Sequence, residues 1–426
     1  MRMLSQAKRV HLGPWLIPGL YAMTAIAASV ILPRIEHFVF PHLKADASIE
    51  TSIAIYSSIA SGMMALTGIV FSLTFLMVQF SATAYSPRLV MWIARDPVLS
   101  HALGVFSATF LYAIAALEWL DRDNSRRVPF ISSMVVIVLL LTSVGMFVGL
   151  IHRIGRLQIN RMLIFTGDQG REVIEKLYGP LGLSSGEIPT GTLRTMVPEQ
   201  TLFHHGQPRS LESVNVNRLV KLAKQHDACI KIVTAIGDTV LEGTPLLYIF
   251  NAGLPFAEKE LSRVLELGGE RTFEQDPKYA IRLLVDIAIR ALSPAINDPT
   301  TAVQALDQIG DLLLRLGGRR LEIGAYPDDS GHIRLIIPFP SWDDFLHLGF
   351  EEILSYGARS VQVMRRMKAL IADLLSVVPP ERRASLRYWQ ERLQTSIARS
   401  FEDAEEKLSA SGEDRQGLGV TRISAA

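Results

Sequence analysis

The sequence predicts an α-helical membrane protein: four transmembrane helices followed by a mixed α+β cytoplasmic domain with a small barrel-sandwich-like β module and C-terminal helices. Three observations predict it. The 426-residue chain is 49% hydrophobic and has a mean hydropathy of +0.25, a positive value that is uncommon for a soluble chain of ordinary charge content. The apolar residues are concentrated. Leu12 to Leu32, Thr51 to Pro87 and Val128 to Ile151 contain no charged residue, and Val98 to Leu117 contains only His101 as a titratable group. About 20 such residues, rising ~1.5 Å each, span a hydrocarbon core. Beyond residue 152 the chain turns polar and carries turn signals and amphipathic periodicities. The expected divisions are a four-helix transmembrane domain over 1–152, a connector over 153–210, a cytoplasmic α+β domain over 211–340, a C-terminal helical region over 341–409 and a disordered tail over 410–426.

The first apolar run is too long for a cleaved leader, and Ala22, Ala25, Ala27 and Ala28 lie inside it rather than after it; it is expected to be a retained helix. Lys and Arg in short loops set orientation. The N-terminus, the loop between the second and third helices and the segment after the fourth carry eight basic residues, Arg2, Lys8, Arg9, Arg88, Arg95, Arg153, Arg156 and Arg161. The other two loops carry five, Arg34, Lys44, Arg122, Arg126 and Arg127. Both termini are therefore expected in the cytoplasm.

The second helix is the most informative of the four. Ser61, Ala65, Gly68, Ser72, Gln79, Thr83 and Ser86 recur on one helical face, with Leu76 at the missing step, while the opposite face is bulky, with Met63, Ile69, Val70, Phe71, Leu73 and Val78. Small residues let helix backbones approach, and hydroxyls and amides bond across helices. Ser61, Gly68, Ser72, Gln79 and Thr83 thus form either a helix-packing face or a pore-lining face. No charged residue lies at mid-membrane, which argues against a carboxylate relay of the kind that couples transport to protons or ions.

In the polar part, 153–180 reads as a helical connector interrupted near Gly167 and Gly170, and Leu181 to Pro208 as loop and short strands. Val214 to His226 has helical spacing and Cys229 to Thr234 is a β-branched strand. Ile236 to Val240 and Gly243 to Ile249 resemble one half of a lipoyl- or biotinyl-type barrel-sandwich motif, without a lysine at a hairpin tip that could carry a cofactor. A helix is expected over Phe256 to Leu267. Asp276-Pro277 and Asp298-Pro299 each read as an N-cap followed by proline at the first helical position. The first of these helices has an apolar stripe of Ile281, Leu284, Val285, Ala288, Ile289 and Leu292; the second, Val303, Leu306, Ile309, Leu313 and Leu316. Ile333 to Ile337 reads as a strand, and Trp342 to Leu375 and Glu381 to Leu408 as long helices.

Two segments carry the resemblance of this chain to a known family. Phe71 to Arg88, FSLTFLMVQFSATAYSPR, and Asp276 to Leu313, DPKYAIRLLVDIAIRALSPAINDPTTAVQALDQIGDLL, resemble the bacterial family called domain of unknown function 2254, predicted membrane proteins. The resemblance extends from the first membrane helix to about Glu406. It implies a bacterial inner-membrane location and four membrane helices with a cytoplasmic domain, and no activity.

Chemistry-bearing constellations are few. A net charge of +1 gives no general attraction to nucleic acid, and none is expected as a partner. The single cysteine, Cys229, excludes intramolecular disulfides and disfavours a cysteine-based zinc site. His204 and His205 have no nearby acid in sequence, and His226, His332 and His347 are scattered. No metalloprotease, nucleophile-elbow or phosphate-loop motif is present, so no enzyme, cofactor or metal is expected. Ser293 to Thr301 joins two helices; there Arg290, Asn297, Thr300 and Thr301 could hold a phosphate or carboxylate, or Asp298 could simply cap the helix. Arg282, Asp286 and Arg290 at i, i+4, i+8 form a structural ion ladder. Two readings of function follow. One is a homo-oligomeric channel in membrane lipid, with the second helix on the axis and the cytoplasmic domain as its assembly and gating part. The other is a membrane-anchored sensor or scaffold that binds a small ligand or a protein partner; neither names the ion or ligand.

Overall fold

The computed structural model describes residues 16–39, 48–84, 97–122, 128–154, 159–181 and 197–418. They fall into two compact units that part between Gln158 and Ile159.

The first unit consists of four helices, α1 (Leu16–Val39), α2 (Ile49–Ala84), α3 (Pro97–Arg122) and α4 (Phe130–Ile154). Each contains a stretch long and apolar enough to cross a membrane: Leu16–Glu36, Ile49–Leu76, Val98–Glu118 and Phe130–His152. The α3 span is 50% buried against 17% for each of the others, so α3 is the central helix and the other three pack round it. Its small residues make this possible. A Cβ built on Gly104 would stand 2.6 Å from the Tyr21 ring of α1, so glycine sets the approach of these two helices. One apolar cluster gathers Ala25, Tyr56, Ala108, Tyr112, Ala116 and Val136; a second gathers Met63, Val70, Ala102, Phe106 and Leu150.

The second unit begins with α5 (Ile159–Leu177). Gly167 and Gly170 were expected to interrupt this helix; they lie inside it. Their missing side chains admit other helices: a Cβ on Gly170 would meet Leu312 at 2.8 Å and Ala280 at 2.9 Å, and one on Gly167 would meet Gln308. The strands follow as β1 (Gln200–Phe203), β2 (Arg209–Val214), β3 (Cys229–Ile232), β4 (Thr239–Val240), β5 (Pro245–Phe250), β6 (Leu265–Gly268), β7 (Ala325–Pro327) and β8 (Ile333–Ile336). They form a five-stranded sheet in the order β1-β5-β3-β8-β7 and a three-stranded sheet in the order β4-β2-β6. All pairings are antiparallel except β3 with β8, where Ile230 faces Leu335. Helix α6 (Val216–Gln225), capped by Asn215, joins both sheets in one core with Leu211, Leu219, Ile230, Val240, Leu247, Ile249 and Leu335. The glycine-rich stretch read as half of a barrel-sandwich motif supplies β4 and β5, which lie in different sheets. Of the helix expected over Phe256 to Leu267 only α7 (Glu258–Ser262) is helical; Leu265 onward is β6, because its alternating residues pair with β2.

The helical layer contains α8 (Pro277–Ala291), α9 (Pro299–Gly317), α10 (Trp342–Gly357), α11 (Val361–Val377), a 3₁₀ turn at Pro380–Arg382, α12 (Arg383–Ser400) and α13 (Ala404–Ala410). Both predicted caps form: Asp276 accepts from the Lys278 N–H and Asp298 from the Thr301 N–H, each followed by proline. The apolar stripe of α9 is buried throughout and that of α8 from Ile281 to Ala288, while Ile289 and Leu292 are half-buried. The single helix expected from Trp342 to Leu375 is two, broken at Ala358 to Ser360, where the Ser360 side chain starts a new helix by accepting from the Val363 N–H. The tail expected to be free from residue 410 is instead docked as far as Leu418: Ala410 and Asp414 are buried, and Arg415 pairs with Asp373 at 2.8 Å.

Candidate functional site

On α2 the side that packs into the unit is Ser52, Tyr56, Ala60, Met63 and Val70, all buried. At ~100° per residue the predicted face lies opposite. Ser61, Ala65, Gly68 and Ser72 are exposed, as is Gln79, and nothing lies within 4 Å of a Cβ built on Gly62 or Gly68. The small residues therefore do not serve packing within this chain; the bulky Met63 and Val70 do. Ile53, Met64, Phe71 and Phe75 flank the exposed face on one side and Ile55, Ile69 and Leu73 on the other. Gln79 and Thr83 fall beyond the apolar span, which ends at Leu76; the side chain of Thr83 lies outside the described residues. Glu50 is the one charged residue of α2. It is exposed, and the eleven-residue step to Ser61, about three helical turns, puts it on the same face.

The interior of the membrane unit holds polar contacts that periodicity did not single out. Tyr56 of α2 shares a 2.7 Å hydrogen bond with Ser133 of α4, and Thr109 of α3 a 2.8 Å bond with Ser143 of α4. Glu36, buried near the end of α1, accepts from the N–H groups of Phe130 (2.5 Å) and Ile131 (3.0 Å) at the start of α4. A carboxylate there satisfies donors that a helix N-terminus leaves free and complements its dipole. These contacts tie α1, α2 and α3 to α4. The outward side of α4 also carries an apolar groove of about 370 Å³, lined by Phe130, Ile131, Met134, Val135, Val138 and Leu139.

In the second unit the segment Ser293 to Thr301 is a tight turn. The Asp298 N–H donates to the Ala291 carbonyl at 2.8 Å, and the Asp298 carboxylate takes both the N–H and the hydroxyl of Thr301. Thr300 and Asn297 are exposed, and Asn297 has φ +49°. The N–H and hydroxyl of Thr301 are thus occupied by the chain's own carboxylate, and Thr301 is buried. The ladder is partly an inter-helix clamp. The Arg282 guanidinium holds Asp286 one turn along α8 and, with bonds of 2.5 and 2.8 Å, Glu352 of α10.

Other polar groups were invisible in sequence because the fold brings them together. Asp276 is 2% exposed, and Arg271 donates to it at 2.8 and 3.1 Å. Burial pushes its carboxyl up while the Arg271 and Lys278 charges pull it down. Gly237, at φ +88°, lies so close over this pair that a Cβ would stand 2.2 Å from the carboxylate and 2.3 Å from the guanidinium. The buried Tyr178 hydroxyl has no hydrogen-bond partner. Burial raises its pKa far above the phenol value and pushes that of Tyr326 up to about 12, so neither phenol can act as a base near neutral pH. His205 does meet an acid, Glu242 at 3.0 Å, but both are exposed. Among the described residues no group of three or more His, Cys, Asp or Glu is placed to hold a metal ion.

Four apolar spans and an α/β unit without a converged catalytic or metal-binding group among the described residues define a multi-helix membrane protein with an appended folded domain. The chain belongs to the family described as predicted membrane protein, domain of unknown function 2254, whose profile matches residues 13–373. It is 27% identical over 365 residues to proteins of Mycobacterium tuberculosis and Mycobacterium bovis that are named as uncharacterised, covering 83% of this chain and 70% of each relative. No solved structure matches the chain.

Proposed function

We propose that copies of this chain assemble in the bacterial inner membrane through the outward face of α2, and that the assembly conducts cations along that face. The observation that carries this reading is the direction of the face. A helix surface meant for lipid is bulky and apolar, whereas Ser61, Ala65, Gly68 and Ser72 point away from the chain's own helices between bulky flanks. Small and hydroxyl-bearing residues favour helix contact or a wetted path over lipid. In an assembly of this kind Glu50 forms a ring of carboxylates at one mouth, and no basic residue of α2 opposes it. Rings of acidic side chains select cations.

Purified full-length protein in planar bilayers is expected to carry a current whose reversal potential under a KCl gradient follows K⁺, and Glu50→Gln is expected to lower that preference. Absence of current from correctly assembled protein would remove the channel. The second reading, a cytoplasmic sensor or scaffold, finds less support, because Asp298 occupies the turn proposed to bind an anion.

The same reading places both termini and the α/β unit in the cytoplasm. Reporter fusions after Gln158 and after Ser424 are expected to signal cytoplasm, and one within Lys44 to Ser52 the outside. A periplasmic signal at Gln158 would reverse the orientation and put the Glu50 ring at the inner mouth.

A further inference from the structure

The C-terminal segment, whose part beyond residue 409 the sequence assigns to a disordered tail, is seated on α11, and its chemistry is unusual. From Glu402 to Leu418 it carries six acids, Glu402, Asp403, Glu405, Glu406, Glu413 and Asp414, against two bases, Lys407 and Arg415. The helix beneath carries Arg365, Arg366 and Lys368 within one turn. Arg365 and Lys368 reach main-chain oxygens of the segment. Arg365 donates to the Ser409 carbonyl and, at 2.7 Å, to the Ser409 hydroxyl; Lys368 donates to the Ser411 carbonyl at 2.5 Å. Both carbonyls lie at the C-terminal end of α13, where unpaired C=O groups carry partial negative charge. Gln362 donates to the Gly417 carbonyl, and the buried Asp414 folds the strap by accepting from the N–H groups of Gln416 and Gly417, each at 2.9 Å. Gly417, at φ +69°, is pressed so closely on Val303 that a Cβ would stand 2.5 Å from its methyl.

The fit leaves one donor unserved. Arg366 spends Nε on Asp307 at 2.5 Å, but its Nη1 is buried with no hydrogen-bond partner. Leaving a charged donor unsatisfied in a buried place is costly, and such groups call for a specific reason. Three clustered cations, an acidic segment laid across them and a buried guanidinium nitrogen without an acceptor together describe an anion site with a stand-in seated on it.

We propose that the acidic segment Glu402 to Leu418 is an intramolecular occupant of a phosphate-binding face formed by Arg365, Arg366 and Lys368, and that a phosphate-bearing ligand displaces it. Phosphate oxygens accept from Arg and Lys more strongly than peptide carbonyls because the bond is charge-assisted on both sides. The ligand can be a soluble phosphate compound or a lipid headgroup, which share this chemistry. The proposal does not depend on conduction by α2.

Cleavage at Glu413 by a glutamate-specific protease reports whether the strap is seated. In the full-length protein, pyrophosphate at millimolar concentration is expected to speed this cleavage severalfold over sodium chloride of equal ionic strength. Asp414→Ala with Arg415→Ala loosens the strap and is expected to bind pyrophosphate about tenfold more tightly by calorimetry, an affinity that adding Arg366→Gln abolishes. Vesicles containing phosphatidylglycerol, compared with phosphatidylcholine alone, separate the sources: acceleration by the former without acceleration by pyrophosphate assigns the face to a lipid headgroup. Cleavage in the unaltered protein that neither pyrophosphate nor the anionic vesicles accelerate would overturn the proposal, and so would a loosened strap with unchanged affinity for both.

Discussion

Asp276→Ala is expected to lower the stability of the α/β unit by about 3–5 kcal/mol, the cost of leaving one member of a buried ion pair alone. Three losses coincide there. The Lys278 N–H at the start of α8 loses its cap, Arg271 loses the carboxylate to which it donates twice, and a cavity opens beneath Gly237. Asp276→Asn separates them. Asparagine caps a helix about as well as aspartate but leaves Arg271, only 28% exposed, without a counter-charge. Its loss should fall between those of wild type and Asp276→Ala. The measurement is the melting of the full-length protein in detergent. A melting temperature for Asp276→Ala within a degree of wild type would show that the pair contributes nothing net.

Arg282→Met is the second large effect, about 1–3 kcal/mol. It removes the guanidinium that holds two carboxylates, Asp286 and Glu352, and with it a clamp between α8 and α10. The figure is kept below that for Asp276 because Asp286 is 21% and Glu352 42% exposed, so solvent screens what remains. Asp286→Asn should cost less, since Arg282 retains Glu352. The clamp also predicts a pH dependence. Hydrogen bonds from Arg282 hold the Glu352 carboxyl below the ordinary value. Its contribution is therefore full above the unfolded pKa of about 4.3 and is lost as pH falls through the lower folded value. Glu352→Gln should flatten the acid side of the stability profile and leave the neutral side parallel to wild type. An unchanged acid limb would show that Arg282 does not act through Glu352.

Periodicity and capping chemistry made much of this molecule legible. The apolar spans stand out because lipid demands length and composition together. Asp276-Pro277 and Asp298-Pro299 announce helix starts because their chemistry is local. What was misread depends on partners distant in sequence. Gly167 and Gly170 look like helix breakers until Gln308, Leu312 and Ala280 are seen against them. Leu265 to Gly268 becomes a strand because β2 offers it an edge. The polar tail after Ser409 lacks an apolar stripe, yet cations on α11 hold it in place. In the membrane unit nothing local marks Glu36 as a cap, because its partner, the start of α4, is distant in sequence. The α2 face itself was evident from spacing; its direction, away from the helices of its own chain, required the structure.

That direction is the central claim, and cysteine cross-linking tests it most directly. The single native cysteine can be removed as Cys229→Ser, and Ala65→Cys or Gly68→Cys placed on the outward face, with Met63→Cys on the inward face as the control. In native membranes under mild oxidation, or with a short thiol-reactive cross-linker where the axis is wide, Ala65→Cys and Gly68→Cys are expected to give covalent dimers while Met63→Cys remains monomeric. Monomer at both outward positions with both reagents, in protein still folded, would contradict the account, because the small face of α2 would then be facing lipid and not another copy of the chain.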